Sequence, residues 1–273
     1  MALRIVPEKT DKKPKPVTKP AIEFRAVKIH KGGMNPLRIL SALLLLAKLA
    51  VFSVPLAVAD ERNEQVVVLH GLARSSSHMA ALSNYLEDRG YTVFNIDYPS
   101  TRHGMEKLAA MVADELRKKV RPDQPLHFVG YSMGGLVTRA VLNRYRPDNL
   151  GRVVQLASPN KGSEVADLLR GNWLYAEVFG PAGTELATRD NGIAELLGSV
   201  DYELGVIAGN FTIDPVSSAV IPGPDDGKVS VESTKVQGMR DHIIVNASHT
   251  FFPQNERVIV QTYNFLRFGA FSR

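Results

Sequence analysis

From residue 64 onward, short apolar runs rich in β-branched residues alternate with longer segments of helical period. Gln65–Leu69 (QVVVL) is apolar without alternation, as a strand covered on both faces must be, and it stops at His70-Gly71. Ser75–Ser77 can cap a helix running to Asp88, with Leu82, Tyr85 and Leu86 on one face and Gly90 stopping it. Tyr91–Ile96 reads as the next strand. Met105–Val120 then repeats the helical spacing through Leu108, Val112 and Leu116, until Pro122 ends it. Leu126–Val129, Arg152–Ala157, Gly205–Ala208 and His242–Ala247 are the third to sixth strands, and a last helix covers about residues 256–268. This alternation predicts an α/β chain: a mostly parallel central sheet flanked by helices. No internal repeat interrupts it.

Two stretches break the rhythm. Residues 159–204 hold no strand pattern and carry Trp173, Tyr175 and Phe179. A long excursion at the C-terminal edge of a strand is either a set of packing helices or a small cap over a pocket, and one segment can be both. The other is the N-terminus. Residues 7–20 (PEKTDKKPKPVTKP) cannot bury enough apolar surface to fold, so residues 1–33 read as a disordered basic tail. Residues 34–59 follow Arg38 with an apolar run and end on Ala57-Val58-Ala59, the small residues that a signal peptidase reads.

A secretory signal peptide is therefore expected there, with a membrane anchor over residues 37–59 as the alternative. Lys48 weighs against the anchor, because a charge near mid-bilayer costs about 3 kcal/mol. On the signal reading Met34 is the start and residues 1–33 are a mis-assigned extension. Lys31-Gly32-Gly33 would be encoded by a purine-rich tract resembling a ribosome-binding site. The body, residues 60–273, is then expected in the periplasm or outside the cell.

Charge changes this picture by exclusion. The net charge of +5 invites a nucleic-acid reading, but residues 1–59 hold 11 Lys/Arg against 3 Asp/Glu, which leaves 22 against 25 in the remainder. The body has no basic stripe, so no nucleic-acid partner is expected. The chain has no cysteine, which removes thiolate nucleophiles, disulfides and Cys-based zinc sites.

Candidate chemistry centres on residues 127–141, HFVGYSMGGLVTRAV. Ser132 stands between Gly130 and Gly134, after an apolar strand and before a helix whose Leu136, Val137, Ala140 and Val141 can pack back on the sheet. A serine raised on a sharp strand-to-helix turn needs small residues two before and two after it, and in that setting it is expected as a nucleophile. The other reading is a glycine-rich turn with an incidental serine.

Acyl transfer makes three further demands. The oxyanion needs two backbone N–H groups; those of Met133 and Leu72 are expected, with Ala73 as the alternative to Leu72. The base should follow the last strand, where His249 lies; His242 begins that strand and would sit at the sheet's other end. The acid should lie between them. Asp226, in the turn GPDDGKVS, is expected, with Asp225 and Asp214 as alternatives. His70 is expected to be structural, and His78, His103 and His127 surface or packing residues.

The segments VVLHGL, NIDYPS, GYSMGGLV, VVQLASPNKGSEVADLL, GPDDGKVSVEST and ASHT resemble bacterial α/β-hydrolase-fold lipases and esterases, of the small triacylglycerol-lipase-like and PGAP1-like group. The resemblance spans residues 64–268. It implies Ser132 as nucleophile, Asp226 as acid and His249 as base, and hydrolysis of a carboxylic ester through an acyl-enzyme. Tyr131 departs from the His that many relatives carry. No counterpart of the calcium ligands of some secreted lipases is found. No cofactor or metal is therefore expected, and the partner is a small-molecule ester or lipid, with membrane association possible through the N-terminal segment. Acyl transfer or thioester hydrolysis with the same three residues, or a non-catalytic binding protein on this scaffold, are the alternatives.

Overall fold

The computed structural model describes residues 63–169, 173–186 and 191–273. The expected tail and the signal or anchor segment lie outside these residues, as do the side chains of Trp173 and Tyr175. Among the described residues no helix is long and apolar enough to cross a membrane.

Six strands, β1 (Gln65–Leu69), β2 (Thr92–Ile96), β3 (Leu126–Tyr131), β4 (Leu150–Leu156), β5 (Leu204–Gly209) and β6 (Asp241–Val245), form one sheet. Its order is β2-β1-β3-β4-β5-β6, with every neighbouring pair parallel. The period-2 geometry of a strand divides each apolar run between two layers. Val67, Leu69, Phe128, Val153 and Val206 face a core shared with α2 (Met105–Lys119) and α3 (Met133–Tyr145). Val66, Val68, Val129, Val154, Ile207 and Val245 face a second core, built with α1 (Ala80–Glu87) and α9 (Glu256–Phe268). Burial on both sides is why β1 and β3 read as continuous apolar runs.

Some boundaries differ from the sequence reading, each for a local reason. Residues 75–88 split into a 3-10 turn, Ser76–Met79, and α1. The turn is pinned to β2: the Ser76 N–H donates to Asp97 Oδ1 and the Asn95 amide to the Ser76 carbonyl, each at 2.9 Å. β3 runs on through Gly130 and Tyr131, which still pair with Gln155 and Leu156. Short helices α7 (Pro215–Ser218) and α8 (Val231–Thr234) were hidden in segments too brief for a periodic signal.

The excursion after β4 forms α4 (Glu164–Leu169), α5 (Trp173–Thr184) and α6 (Asn191–Leu197), with α5 kinked at Gly180 (φ 66°). Ala166, Ala182, Leu186 and Leu197 are buried in the α2–α3 core, so the segment packs as well as covers.

Candidate active site

The sheet order reverses direction around β1 and β3, the place where open α/β sheets leave a crevice at their C-terminal edge. Leu69 and Gly130 are register partners, so the loops after both strands emerge side by side. Ser132 occupies the turn between β3 and α3 with φ 54° and ψ −124°, a conformation that L residues adopt only under strain. Its N–H is held by the Leu156 carbonyl of β4 at 2.7 Å.

The flanking glycines make the bend possible by close approach. A Cβ on Gly130 would stand 2.5 Å from the Cα and N of Gly135, and one on Gly134 would press on the carbonyl oxygens of Leu69 and His70. Helix α3 can thus lie directly against β1 and β3, with its positive end at the serine.

Ser132 Oγ lies 3.0 Å from His249 Nε2, and His249 Nδ1 lies 2.7 Å from Asp226 Oδ2. His249 opens the 3-10 turn His249–Gln254 that follows β6. Two main-chain contacts fix it: its N–H donates to the Asp226 carbonyl at 2.9 Å, and its own carbonyl accepts the Tyr131 hydroxyl at 2.6 Å. Asp226 is 2% exposed. Its Oδ1 accepts the Lys228 and Val229 N–H groups at 3.0 and 2.8 Å, leaving Oδ2 for the imidazole. A carboxylate so held takes the Nδ1–H tautomer, which points the lone pair of Nε2 at the serine.

The other aspartates are occupied elsewhere. Asp225 accepts the Gly227 N–H and the Ser218 hydroxyl, holding the turn itself. Asp214 caps α7 and pairs with Lys228 at 2.7 Å, contacts that hold its carboxyl well below the usual range. His242 lies on β6 beside Asp241, away from the serine end, and bonds Thr234 Oγ1 at 3.1 Å.

Among the described residues, no acceptor is bonded to the N–H of Leu72 or of Met133. The Ala73 N–H donates to Ser100 Oγ at 3.1 Å and is thereby committed. His70 is fully buried: Nδ1–H donates to the Gly71 carbonyl at 2.9 Å, Nε2 accepts the Tyr98 N–H at 3.3 Å, and the ring stacks on Tyr98. Burial lowers its pKa, in keeping with a neutral ring that shapes the loop.

A cavity of about 190 Å³ opens at Ser132 and His249, with Leu72, Val165, Ala166, Phe179, Leu186 and Val229 as its apolar wall. Helices α4 and α5 supply Val165, Ala166 and Phe179. Sequence reasoning missed one neighbour: the ring of His78 lies 5.4 Å from that of Tyr131, which in turn lies 5.2 Å from His249. Burial, with the charges of Arg74 and His249, lowers the pKa of His78 to about 4. The only signal for it was its place in the Ser-rich segment after the His-Gly turn. Among the described residues no three His, Asp or Glu side chains are grouped to hold a metal ion.

The family model described as palmitoyl protein thioesterase matches residues 65–192, a stretch that includes Ser132 and stops before Asp226 and His249. Lysosomal thioesterase PPT2 of Rattus norvegicus is 32% identical over 143 residues, which cover 49% of this chain and 46% of that protein. The lysosomal thioesterase PPT2 homolog of Drosophila melanogaster is 31% identical over 125 residues, 43% of this chain and 42% of that protein. The matches thus span less than half the length of these relatives.

Among solved structures, the mature lipase BlEst2 of Bacillus licheniformis superposes with a TM-score of 0.59 at 23% identity, covering 77% of this chain and 93% of that one. Phospholipase PlaB of Legionella pneumophila, in complex with thio-NAD, gives a TM-score of 0.62 at 18% identity, covering 76% and 59%. With its parallel six-stranded sheet and the helices on both faces, the chain has the α/β-hydrolase fold.

Proposed function

We propose that this chain is a serine hydrolase of acyl esters or thioesters. The observation that carries the reading is the hydrogen-bonded series Ser132 Oγ, His249 Nε2, His249 Nδ1 and Asp226 Oδ2, set on a strained turn beside two amides without acceptors. Ser132 Oγ attacks the acyl carbonyl while His249 takes its proton, and Asp226 orients the ring and stabilises the imidazolium. The Leu72 and Met133 N–H groups receive the oxyanion, helped by the positive end of α3. His249 then protonates the leaving group. A water activated by the same nitrogen cleaves the acyl-enzyme, so no cofactor enters the scheme.

Two leaving groups fit this machinery. The lipase-like segments favour an oxygen ester; the match to the palmitoyl protein thioesterase model favours a thioester. The apolar wall of the cavity supports an acyl chain as the group retained on Ser132. The apolar segment at residues 34–59 supports a periplasmic or secreted location, or anchoring at the inner membrane.

The test is paired. A fluorophosphonate should label Ser132 in the wild-type chain and leave Ser132→Ala unlabelled. Turnover of p-nitrophenyl esters and of an acyl-CoA series should fall by about 10³-fold or more in Ser132→Ala and Asp226→Asn. Undiminished hydrolysis by Ser132→Ala refutes the reading, and the ratio of the two substrate series assigns the leaving group.

A further inference from the structure

Beside the pocket at Ser132 lies a larger cavity of about 710 Å³, and Pro159 and Leu186 line both. Its lining is cationic, with Arg139, Lys161 and Lys235 against Glu185. The Glu185 carboxylate is turned toward α2, where it accepts the Met105 N–H at 2.7 Å. Lys161 and Lys235 share one carboxylate, Glu232, at 2.5 and 2.8 Å.

Arg139 is the unusual member. It stands on α3, 6% exposed, and donates from Nη1 to Asn160 Oδ1 at 2.9 Å and from Nη2 to the Gly198 carbonyl at 2.7 Å. Both acceptors are neutral. The Tyr202 hydroxyl, also neutral, lies against the guanidinium; Nε–H has no acceptor in hydrogen-bond geometry, and among the described residues no carboxylate pairs with it. A buried cation without a counter-charge is costly to keep, and a fork of five N–H groups with three neutral neighbours has capacity left over.

We propose that this cavity binds a small organic anion, a carboxylate or a phosphate monoester, on the Arg139 guanidinium. Planar oxyanions match that fork, and Lys161 and Lys235 add attraction at the edge. Resting on the hydrolase reading, the substrate is an acyl compound whose far end carries the anionic group and reaches past Pro159 and Leu186.

Binding is measured first, without turnover. The full chain is titrated calorimetrically with butyrate and, separately, with phenyl phosphate, and the arm that binds identifies the source. The dissociation constant should rise about tenfold or more in Arg139→Gln, as expected for loss of a charge-assisted contact. Absence of binding in both arms, or equal affinity in a folded Arg139→Gln, overturns the site and leaves Arg139 as a brace between α3 and its neighbouring loops.

Should that variant not fold, phenylglyoxal modification of wild type, followed on the Arg139 peptide, decides the matter: a bound anion must slow it, and no protection refutes the site. Kinetics then extend the result to substrate. The kcat/KM ratio of the p-nitrophenyl monoester of adipate over p-nitrophenyl hexanoate should fall about tenfold or more in Arg139→Gln, whatever the loss on the neutral ester. An unchanged ratio removes the substrate assignment. Labelling of Ser132 tests the hydrolase reading separately, so the two failures are distinguishable.

Discussion

At Ser132 the backbone stores strain that has no part in packing. A φ of 54° with ψ −124° costs a non-glycine residue about 1–3 kcal/mol, and the Leu156 carbonyl and the glycine contacts hold it there. Replacement by glycine relieves that strain although it adds disorder to the unfolded chain. Ser132→Gly is therefore expected to be more stable than Ser132→Ala by about 1 kcal/mol, read from urea unfolding midpoints; equal midpoints would mean that the turn is not strained. Ser132 and His249 stood out as candidates in the sequence because each follows closely on a strand end. Choosing between Asp225 and Asp226 was not a matter of pattern. Both lie in one turn, and only the three-dimensional path shows that Asp225 caps the turn while Asp226 faces the imidazole. His78 was invisible for a related reason: it approaches through a 3-10 turn pinned by β2, a long-range contact with no period.

Among the elements, the close approach of α3 to β1 depends on Gly134. A methyl group there would meet two backbone oxygens, Leu69 and His70, which cannot swing aside like side-chain ends. Gly134→Ala should destabilise the fold by about 3 kcal/mol or more, by overpacking and a shift of the helix start. A thermal melt of this variant unchanged from wild type would show that α3 has room to move. The six strands and the long helices α2, α3 and α9 lie where the sequence periodicity placed them. Their apolar sets are long, and they end at Gly, Pro or Asn. The excursion over residues 159–204 was legible only as an exception. Its helices α4, α5 and α6 are short, so few turns exist in which a period can show.

For the whole molecule, acid is the informative variable. Burial lowers the pKa of His70, His78 and His242, that of His78 to about 4. A lowered histidine pKa means that, between about pH 4 and the unfolded value near 6.5, the unfolded chain binds protons that the native chain refuses. Stability is then full above pH 6.5 and falls as pH drops through that window. Asp214, Glu232 and Asp241, whose pKa values are lowered, lose their contributions only further down, as unfolded carboxylates begin to protonate. The urea midpoint should decrease from pH 7 to pH 5, and less steeply in His78→Gln; a flat profile in wild type would contradict the lowered histidine pKa values.

The contacts of His249 also bear on how the chain can be divided. Among the described residues β6 is an edge strand, paired with β5 alone, and the exposed turn at Gln237-Gly238 precedes it. The chain after that turn docks through β6, the buried Phe252, Val258, Phe265 and Leu266, the two hydrogen bonds from His249 to Asp226, and bonds to Tyr131, His78 and Arg152. Residues 239–273 thus form one C-terminal segment that carries His249. Co-expressed as two fragments cut after Gly238, the halves should reassemble, and fluorophosphonate labelling of Ser132 should return only when both are present. Labelling of the larger fragment alone would show that the serine is reactive without its imidazole partner. In effect the fold offers a split reporter that is read by the labelling of Ser132.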